Sequence, residues 1–332
     1  MFPKADLQQV AAELESDVRY LAETIGERNM GTEGSMDASA DWIEQKMEQS
    51  GYHTHRQTYT LADKGAHGYA GMTADNIVAE LSKASAEDSG ALKQDSEAAK
   101  TATGASSNEL IVIGAHYDTV PTSPGANDNA SAIAVLSALA KRLSGTRPTN
   151  TVRLVAFANE EPPFFTTSDM GSYAYAARCR ERRESVGAMI ALDGVGYFSD
   201  RPGSQHYPVP GLGFYYPDRA NFIGFVTRLR DRALLRRALK AFRSGTDLPV
   251  EGAALPSYVP GVYWSDHWSF WQQGYPGLLV TDTLPFRDPH YHSPTDIADR
   301  LDYSAMARVV EGVEAVVRTL AGIGESNQPG RL

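Results

Sequence analysis

From residue 109 onward, short apolar runs alternate with segments of helical period. "ELIVIGAHYD" (109–118), "TVRLVAFAN" (151–159) and "VGAMIALDGVGY" (186–197) are rich in β-branched residues and show little polar alternation. Strands of that kind are covered on both faces. Between them, "NASAIAVLSALAKRL" (129–143) and "SDMGSYAYAARCRERRE" (168–184) read as helices. "FIGFVTR" (222–228) and "YPGLLVTDT" (275–283) supply later strands, and "DRALLRRALKAF" (231–242) and "YSAMARVVEGVEAVVRTLAGI" (303–323) later helices. Toward the N-terminus, 5–24 and 35–50 read as amphipathic helices, the second with Ser35 as its N-cap, and 75–83 reads as a strand. The pattern predicts an α/β fold: a mixed, mostly parallel central sheet with helices on both faces. We expect one domain over 1–332, with a mobile insertion at 84–108, where large apolar side chains are almost absent. The stretches 198–221 and 247–264 carry Pro, Gly, Tyr and Trp and read as long irregular loops, a common place for function.

Composition narrows the class. With 42% hydrophobic and 22% charged residues, the 332-residue chain is globular in type, and no apolar run is long enough to cross a membrane. The N-terminus is polar, without an apolar signal core, so the expectation is cytoplasmic, with secretion the alternative if a leader precedes this sequence. The single cysteine, Cys179, forbids an internal disulfide and sits in a helical pattern, where packing explains it. A net charge of −10 argues against nucleic acid or an anionic membrane as a partner. Nothing in the sequence fixes the oligomeric state.

Candidate chemistry collects at strand ends. His116 and Asp118 end one strand, and Asp128 lies at the entrance of the next helix. Glu160 and Glu161 end the following strand and Asp193 the one after, while His290 and His292 follow a late strand in "FRDPHYHSPTD". Open α/β sheets bind ligands beyond the carboxyl ends of their strands. Several carboxylates meeting there would repel one another unless a dication joined them. Mixed imidazole and carboxylate donors suit zinc, and one shared carboxylate would suit a two-metal site. Side chains of adjacent residues diverge, so one of Glu160 and Glu161 can hold metal while the other faces water as a general base.

These segments resemble the co-catalytic zinc exopeptidases, in particular the group of aminopeptidases that also contains glutaminyl cyclases. The matching stretches are "GERNMGTEGS", "GAHYDTV", "GANDNAS", "FANEE", "LDGVGY", "SDHWSF" and "HYHSPTD", spread over about residues 26–320. The resemblance implies two Zn2+ ions and a peptide substrate. It implies His116 and Asp193 on one ion, Glu161 and His292 on the other, and Asp128 bridging both. It implies Glu160 as general base and Asp118 as the residue that orients His116. It also implies a cis peptide between Asp128 and Asn129, with Asn127 and Asn129 holding that loop. Substrate contacts are expected from Asp266, Trp264 and Tyr263, with Tyr258, Trp268 and Phe165 as further aromatic candidates, and His267 is expected to be structural. The implied activity is aminopeptidase hydrolysis through a metal-bridging water. Glutaminyl cyclisation with one zinc, or a non-catalytic scaffold, are the alternatives. The proline-rich "EEPPFFTTSDMGS" departs from the family's shorter turn after the acidic pair.

Overall fold

Every residue of β3 (Leu110–His116) is buried, as the unbroken apolar run "LIVIGA" requires. The chain is described by a computed structural model over residues 4–62, 68–83 and 109–324. Its order is α1 (Lys4–Arg19), running on through a wider turn at Tyr20–Ile25, then α2 (Ser35–Gln49), β1 (Thr54–Thr60), β2 (Thr73–Leu81) and β3. Next come α3 (Ala132–Leu143), β4 (Thr151–Phe157), α4 (Gly171–Glu181), β5 (Val186–Leu192), β6 (Ile223–Arg228) and α5 (Arg232–Gly245). β7 (Val250–Leu255), α6 (His267–Gln272), β8 (Gly277–Thr281) and α7 (Tyr303–Ala321) close the described chain.

The strands form one eight-stranded sheet in the order β1-β2-β4-β3-β5-β8-β6-β7. The β4-β3-β5-β8 run and the β6–β7 pair are parallel. β1–β2, β2–β4 and β6–β8 are antiparallel. This is the mixed, mostly parallel sheet the sequence pattern predicts. Two apolar layers cover its faces. Ile111, Ile113, Leu154, Ile190 and Val280 pack with helices α1, α2, α3, α5 and α7. Val112, Val155, Phe157 and Met189 face Tyr175 and Cys179 of α4 and Phe270 of α6.

The structure differs from the sequence pattern in several places. β1 was not anticipated: in "THRQTYT" only Gln57 is buried, so the strand has almost no apolar signal. β7 lies inside a stretch expected to be irregular, and α6 adds a short helix in "SDHWSF". Ser35 is the first helical residue rather than the cap; Gly34 precedes it at φ 73°, and the Ser35 hydroxyl donates to the Thr32 carbonyl at 3.0 Å. The expected insertion at 84–108 lies outside the described residues. No helix among the described residues is long and apolar enough to cross a membrane.

Candidate metal centre and cavity

Parallel strands deliver polar groups to one rim of the sheet. β3 ends at His116, and β4 leads through Ala158 and Asn159 into Glu160–Glu161. β5 runs into Asp193, whose N–H donates to the Val280 carbonyl of β8 at 3.1 Å. Asn159 sits at φ 57°, a left-handed turn that asparagine tolerates better than most residues, and it aims the acidic pair inward. His292 also has a positive φ, 55°, in the loop after β8.

Between β3 and α3 the chain makes a tight cradle around Asp128. Gly125, at φ 59°, allows it: a Cβ there would collide with the Asp128 carbonyl oxygen. The peptide between Asp128 and Asn129 is cis. The Asn127 amide donates to Asp282 Oδ2 and Asp288 Oδ2, each at 3.0 Å, while its oxygen accepts from Gly196 N–H. Asn129 donates to the Leu192 carbonyl and accepts from Gly194 N–H. The backbone N–H groups of Asn127 and Asp128 donate to the two oxygens of Asp296 at 2.8 and 3.1 Å. Beneath the cradle, the fully buried Arg28 guanidinium donates to the carbonyls of Tyr117, Leu21, Gly26, Pro124 and Gly125. Arg28, Asp282, Asp288 and Asp296 were not singled out from the sequence. Each nevertheless lies in a segment that the sequence pattern marks: Arg28 in "GERNMGTEGS", Asp282 at the end of "YPGLLVTDT", and Asp288 and Asp296 in "FRDPHYHSPTD".

The cradle places Asp128 between two donor groups. His116, Asp128 and Asp193 form one, and Asp128, Glu161 and His292 the other, each with donor atoms within 4.8 Å of one another. Asp128 Oδ1 lies 3.3 Å from His116 Nε2, and Asp128 Oδ2 lies 3.1 Å from His292 Nε2. His116 Nε2 is also 3.4 Å from Asp193 Oδ1, and His292 Nε2 is 3.2 Å from Glu161 Oε2. Four of these buried polar atoms lack a hydrogen-bond partner: Nε2 of each imidazole, Asp193 Oδ1 and Glu161 Oε1. Orphaned donors and acceptors are costly to bury, and a metal ion is the partner that satisfies them all. Imidazole plus carboxylate is zinc chemistry, so the residues present fit one zinc in each group.

Electrostatics tell the same story. Burial pushes the Glu161 carboxyl up to about 8, with Asp128 adding to the rise. Burial likewise raises Asp193. Burial alone would lower His292, but Asp128 and Glu161 at its Nε2 drive it up to about 10. Protein groups by themselves compensate for so much buried negative charge only by holding protons, and a dication would displace those protons.

Glu160 belongs to neither group. It is buried beside them, its Oε2 3.9 Å from His116 Nε2, and it lines the adjoining cavity. Asp118 does more than face the imidazole. Its Oδ1 lies 3.6 Å from His116 Nδ1, while its backbone carbonyl is nearer, at 3.2 Å. Its two carboxylate oxygens accept the backbone N–H groups of Glu160 and Glu161, each at 3.0 Å. Asp118 therefore ties the acidic pair to the His116 strand.

A cavity of about 430 Å³ opens beside the donor groups. Trp264 and Phe165 line it, and Trp264 stacks on Phe286 at 6.0 Å between centroids. Tyr291 also lines it, its ring stacked on His292 at 3.7 Å. Tyr263 does not line the cavity but meets Trp264 edge-on. Tyr258 is 82% exposed, and Trp268 packs on Tyr173 instead. Asp266, expected to touch substrate, does not line the cavity: it is fully buried with neither carboxylate oxygen hydrogen-bonded, close enough to His116, Asp193 and Glu160 to feel their charge, and burial raises it to about 7. His267 donates from Nε2 to the Val262 carbonyl at 2.8 Å and packs on Trp271, the place of a structural residue. His290 turns away from the donor groups to Thr295.

Known proteins resemble this chain in sequence and in fold. The chain is 37% identical over 309 residues to the uncharacterized protein YfbL of Escherichia coli, covering 91% of this chain and 85% of that protein. It is 24% identical over 229 residues to leucine aminopeptidase 1 of Arthroderma otae, covering 65% of this chain and 55% of that longer protein. Among solved structures, the zinc aminopeptidase BSAP from Bacillus subtilis superposes with a TM-score of 0.67 at 15% identity, covering 96% of this chain and 98% of its own. A glutaminyl cyclase from Porphyromonas gingivalis has the same fold, with a TM-score of 0.60 at 20% identity, covering 93% and 97% of the two chains. The model of peptidase family M28 matches residues 98–317, the span that carries all the donor residues. The chain belongs to peptidase family M28 and is a metallo-exopeptidase.

Proposed function

We propose that this enzyme is a zinc aminopeptidase that releases N-terminal residues from peptides with two ions sharing Asp128. The observation that supports this most is the split of the Asp128 carboxylate, one oxygen to each donor group, with Glu160 left over beside them. A cyclase working with one zinc would not need the second group. His116 and Asp193 would hold one ion, Glu161 and His292 the other. When bound, the ions supply positive charge that acidifies water and stabilises the developing oxyanion.

The remaining work falls to the chain's own groups. Glu160 takes a proton from the attacking water and passes it to the leaving amine. Burial pushes its carboxyl well above the ordinary value, with His116 opposing the shift and Glu161 and Asp193 adding to it. That rise belongs to the metal-free chain; the positive charge of bound zinc would lower it, leaving Glu160 ionised and able to accept the water's proton. Asp118 fixes the direction of Glu160 and Glu161 through their backbone N–H groups. The apolar cavity receives the substrate's first side chain and keeps bulk water out.

The test is hydrolysis of aminoacyl-p-nitroanilides and of N-blocked counterparts, with and without chelator, by the wild-type chain and Glu160→Gln. We expect cleavage of free-amine substrates only, abolished by chelator and restored by zinc. We expect kcat to fall by about 10²–10⁴ in the variant. Cleavage of blocked substrates, or cyclisation of an N-terminal glutamine peptide without hydrolysis, would overturn the proposal.

A further inference from the structure

The β8–β6–β7 end of the sheet has two different faces. Ile223, Phe225, Val250 and Val280 point into the helix-covered core. The alternate residues Leu279, Val226 and Ala253 form the floor of the cavity. Along the rim of that floor runs one row of paired positions: Thr281 pairs with Gly224, and Gly224 with Glu251. Asp193 heads the row, one step past the Leu192–Val280 pair. Neighbouring strands lie about 4.8 Å apart, so Glu251 stands roughly 14 Å along the row from Asp193. Paired positions present their side chains to one face, and all four residues line the cavity. Gly224 leaves the middle of the row open; a Cβ there would already stand 3.2 Å from the Thr281 carbonyl oxygen.

Glu251 is the charged group at the far end of an apolar floor. Its carboxylate makes no ion pair or hydrogen bond among the described residues. Two tyrosines flank it but give it no proton: Tyr216 donates to the Gly252 carbonyl and Tyr207 to the Pro217 carbonyl. Their rings pack 5.8 Å apart and, like Glu251, line the cavity.

We propose that this cavity selects a long cationic side chain on the substrate's N-terminal residue, arginine or lysine, with Glu251 as its counter-charge. The proposal rests on the aminopeptidase reading. A leucine would cover the floor near the donor groups and leave the half-buried Glu251 without a counter-charge, gaining nothing from it. A long unbranched stem lies along Leu279, Val226 and Ala253, crosses the opening at Gly224 and brings its charge to Glu251. The tyrosine faces favour the same cation, and a planar guanidinium gains more from them than an ammonium does.

The experiment has two arms. In the first, kcat/KM is measured for arginyl-, lysyl- and leucyl-p-nitroanilide with the zinc-loaded wild type, Glu251→Gln and Glu251→Lys, with Tm recorded for each. We expect an arginyl-to-leucyl ratio of at least about tenfold, a loss of at least about tenfold from that ratio in Glu251→Gln, and a ratio below one in Glu251→Lys. A wild-type ratio at or below one overturns the proposal, as does a ratio unchanged in a folded Glu251→Gln. Release of dipeptides overturns it too, because Glu251 would then hold the substrate's α-amine. In the second arm, argininamide and leucinamide are titrated calorimetrically into zinc-loaded Glu160→Gln and into the Glu160→Gln/Glu251→Gln double variant. Tighter argininamide binding that depends on Glu251 sustains the proposal even if no free-amine substrate is hydrolysed, an outcome that would sink only the aminopeptidase reading. Equal affinity for the two amides overturns it.

Discussion

Replacing Arg28 with methionine separates two roles that one buried cation plays. Arg28 is wholly inaccessible, and its guanidinium reaches five carbonyl oxygens, from Leu21, Gly26, Tyr117, Pro124 and Gly125, at 2.7–3.0 Å. Burial draws it down to about 10, opposed by Asp296, Asp118, Asp128 and Glu161, so it remains charged at neutral pH. Methionine keeps most of the stem but removes every donor. Orphaned buried carbonyls and a lost counter-charge together cost about 3–5 kcal/mol, of the order found when a buried ionic network loses one member. At about 2.1 cal/mol/K of unfolding entropy per residue, that lowers Tm of a chain this size by roughly 4–7 °C. The larger effect falls on the zinc-free protein, where Arg28 and the imidazoles supply the positive charge facing Asp118, Asp128, Glu161 and Asp296. Scanning calorimetry of both proteins, with zinc and after chelation, therefore gives a wider zinc-induced Tm shift in Arg28→Met than in the wild type. A Tm loss under about 2 °C, or an identical zinc-induced shift, would refute the counter-charge argument.

Asp296 holds the backbone N–H groups of Asn127 and Asp128, so Asp296→Ala should weaken zinc binding by about 10–100-fold, read by competition with a chromophoric chelator; unchanged affinity would mean the cradle holds without it. His267 is buried and neutral, its imidazole held down at about 4 by burial against an unfolded value of about 6.5. Its contribution to stability is complete above pH 6.5 and is lost as pH falls toward 4, because there the unfolded chain binds a proton that the folded one refuses. The loss is at most about 3 kcal/mol, and His267→Gln should flatten the stability slope between pH 6.5 and 4 in urea titrations; an unchanged slope would assign it to other groups.

The sheet and its strand-end chemistry were readable because fully buried parallel strands leave long apolar runs, and because metal-binding groups interrupt those runs abruptly. His116, Glu160 and Asp193 each stand where an apolar run stops. β1 was unreadable because it is an edge strand with one buried side chain. β7 was unreadable because its small residues floor a cavity rather than a core, so "VEGAAL" shows no strong period. Arg28 was hidden because its hydrogen-bond partners are backbone carbonyls contributed by distant segments, which no side-chain pattern reveals. Asp118 was read only for its imidazole neighbour. Its grip on the Glu160 and Glu161 N–H groups depends on β3 and β4 being adjacent, which is a tertiary fact. Tyr263 and Trp264 are neighbours in sequence, yet only Trp264 reaches the cavity, a difference set by the turn before α6.

Zinc titration of the metal-free chain by isothermal calorimetry, checked against metal content by mass spectrometry, counts the ions the two donor groups hold. Two donor groups sharing Asp128 require two equivalents of zinc per chain, and in Asp128→Ala both sites should weaken together. One equivalent in the wild type, or an Asp128→Ala variant that loses a single ion and leaves the other's affinity intact, would contradict the account.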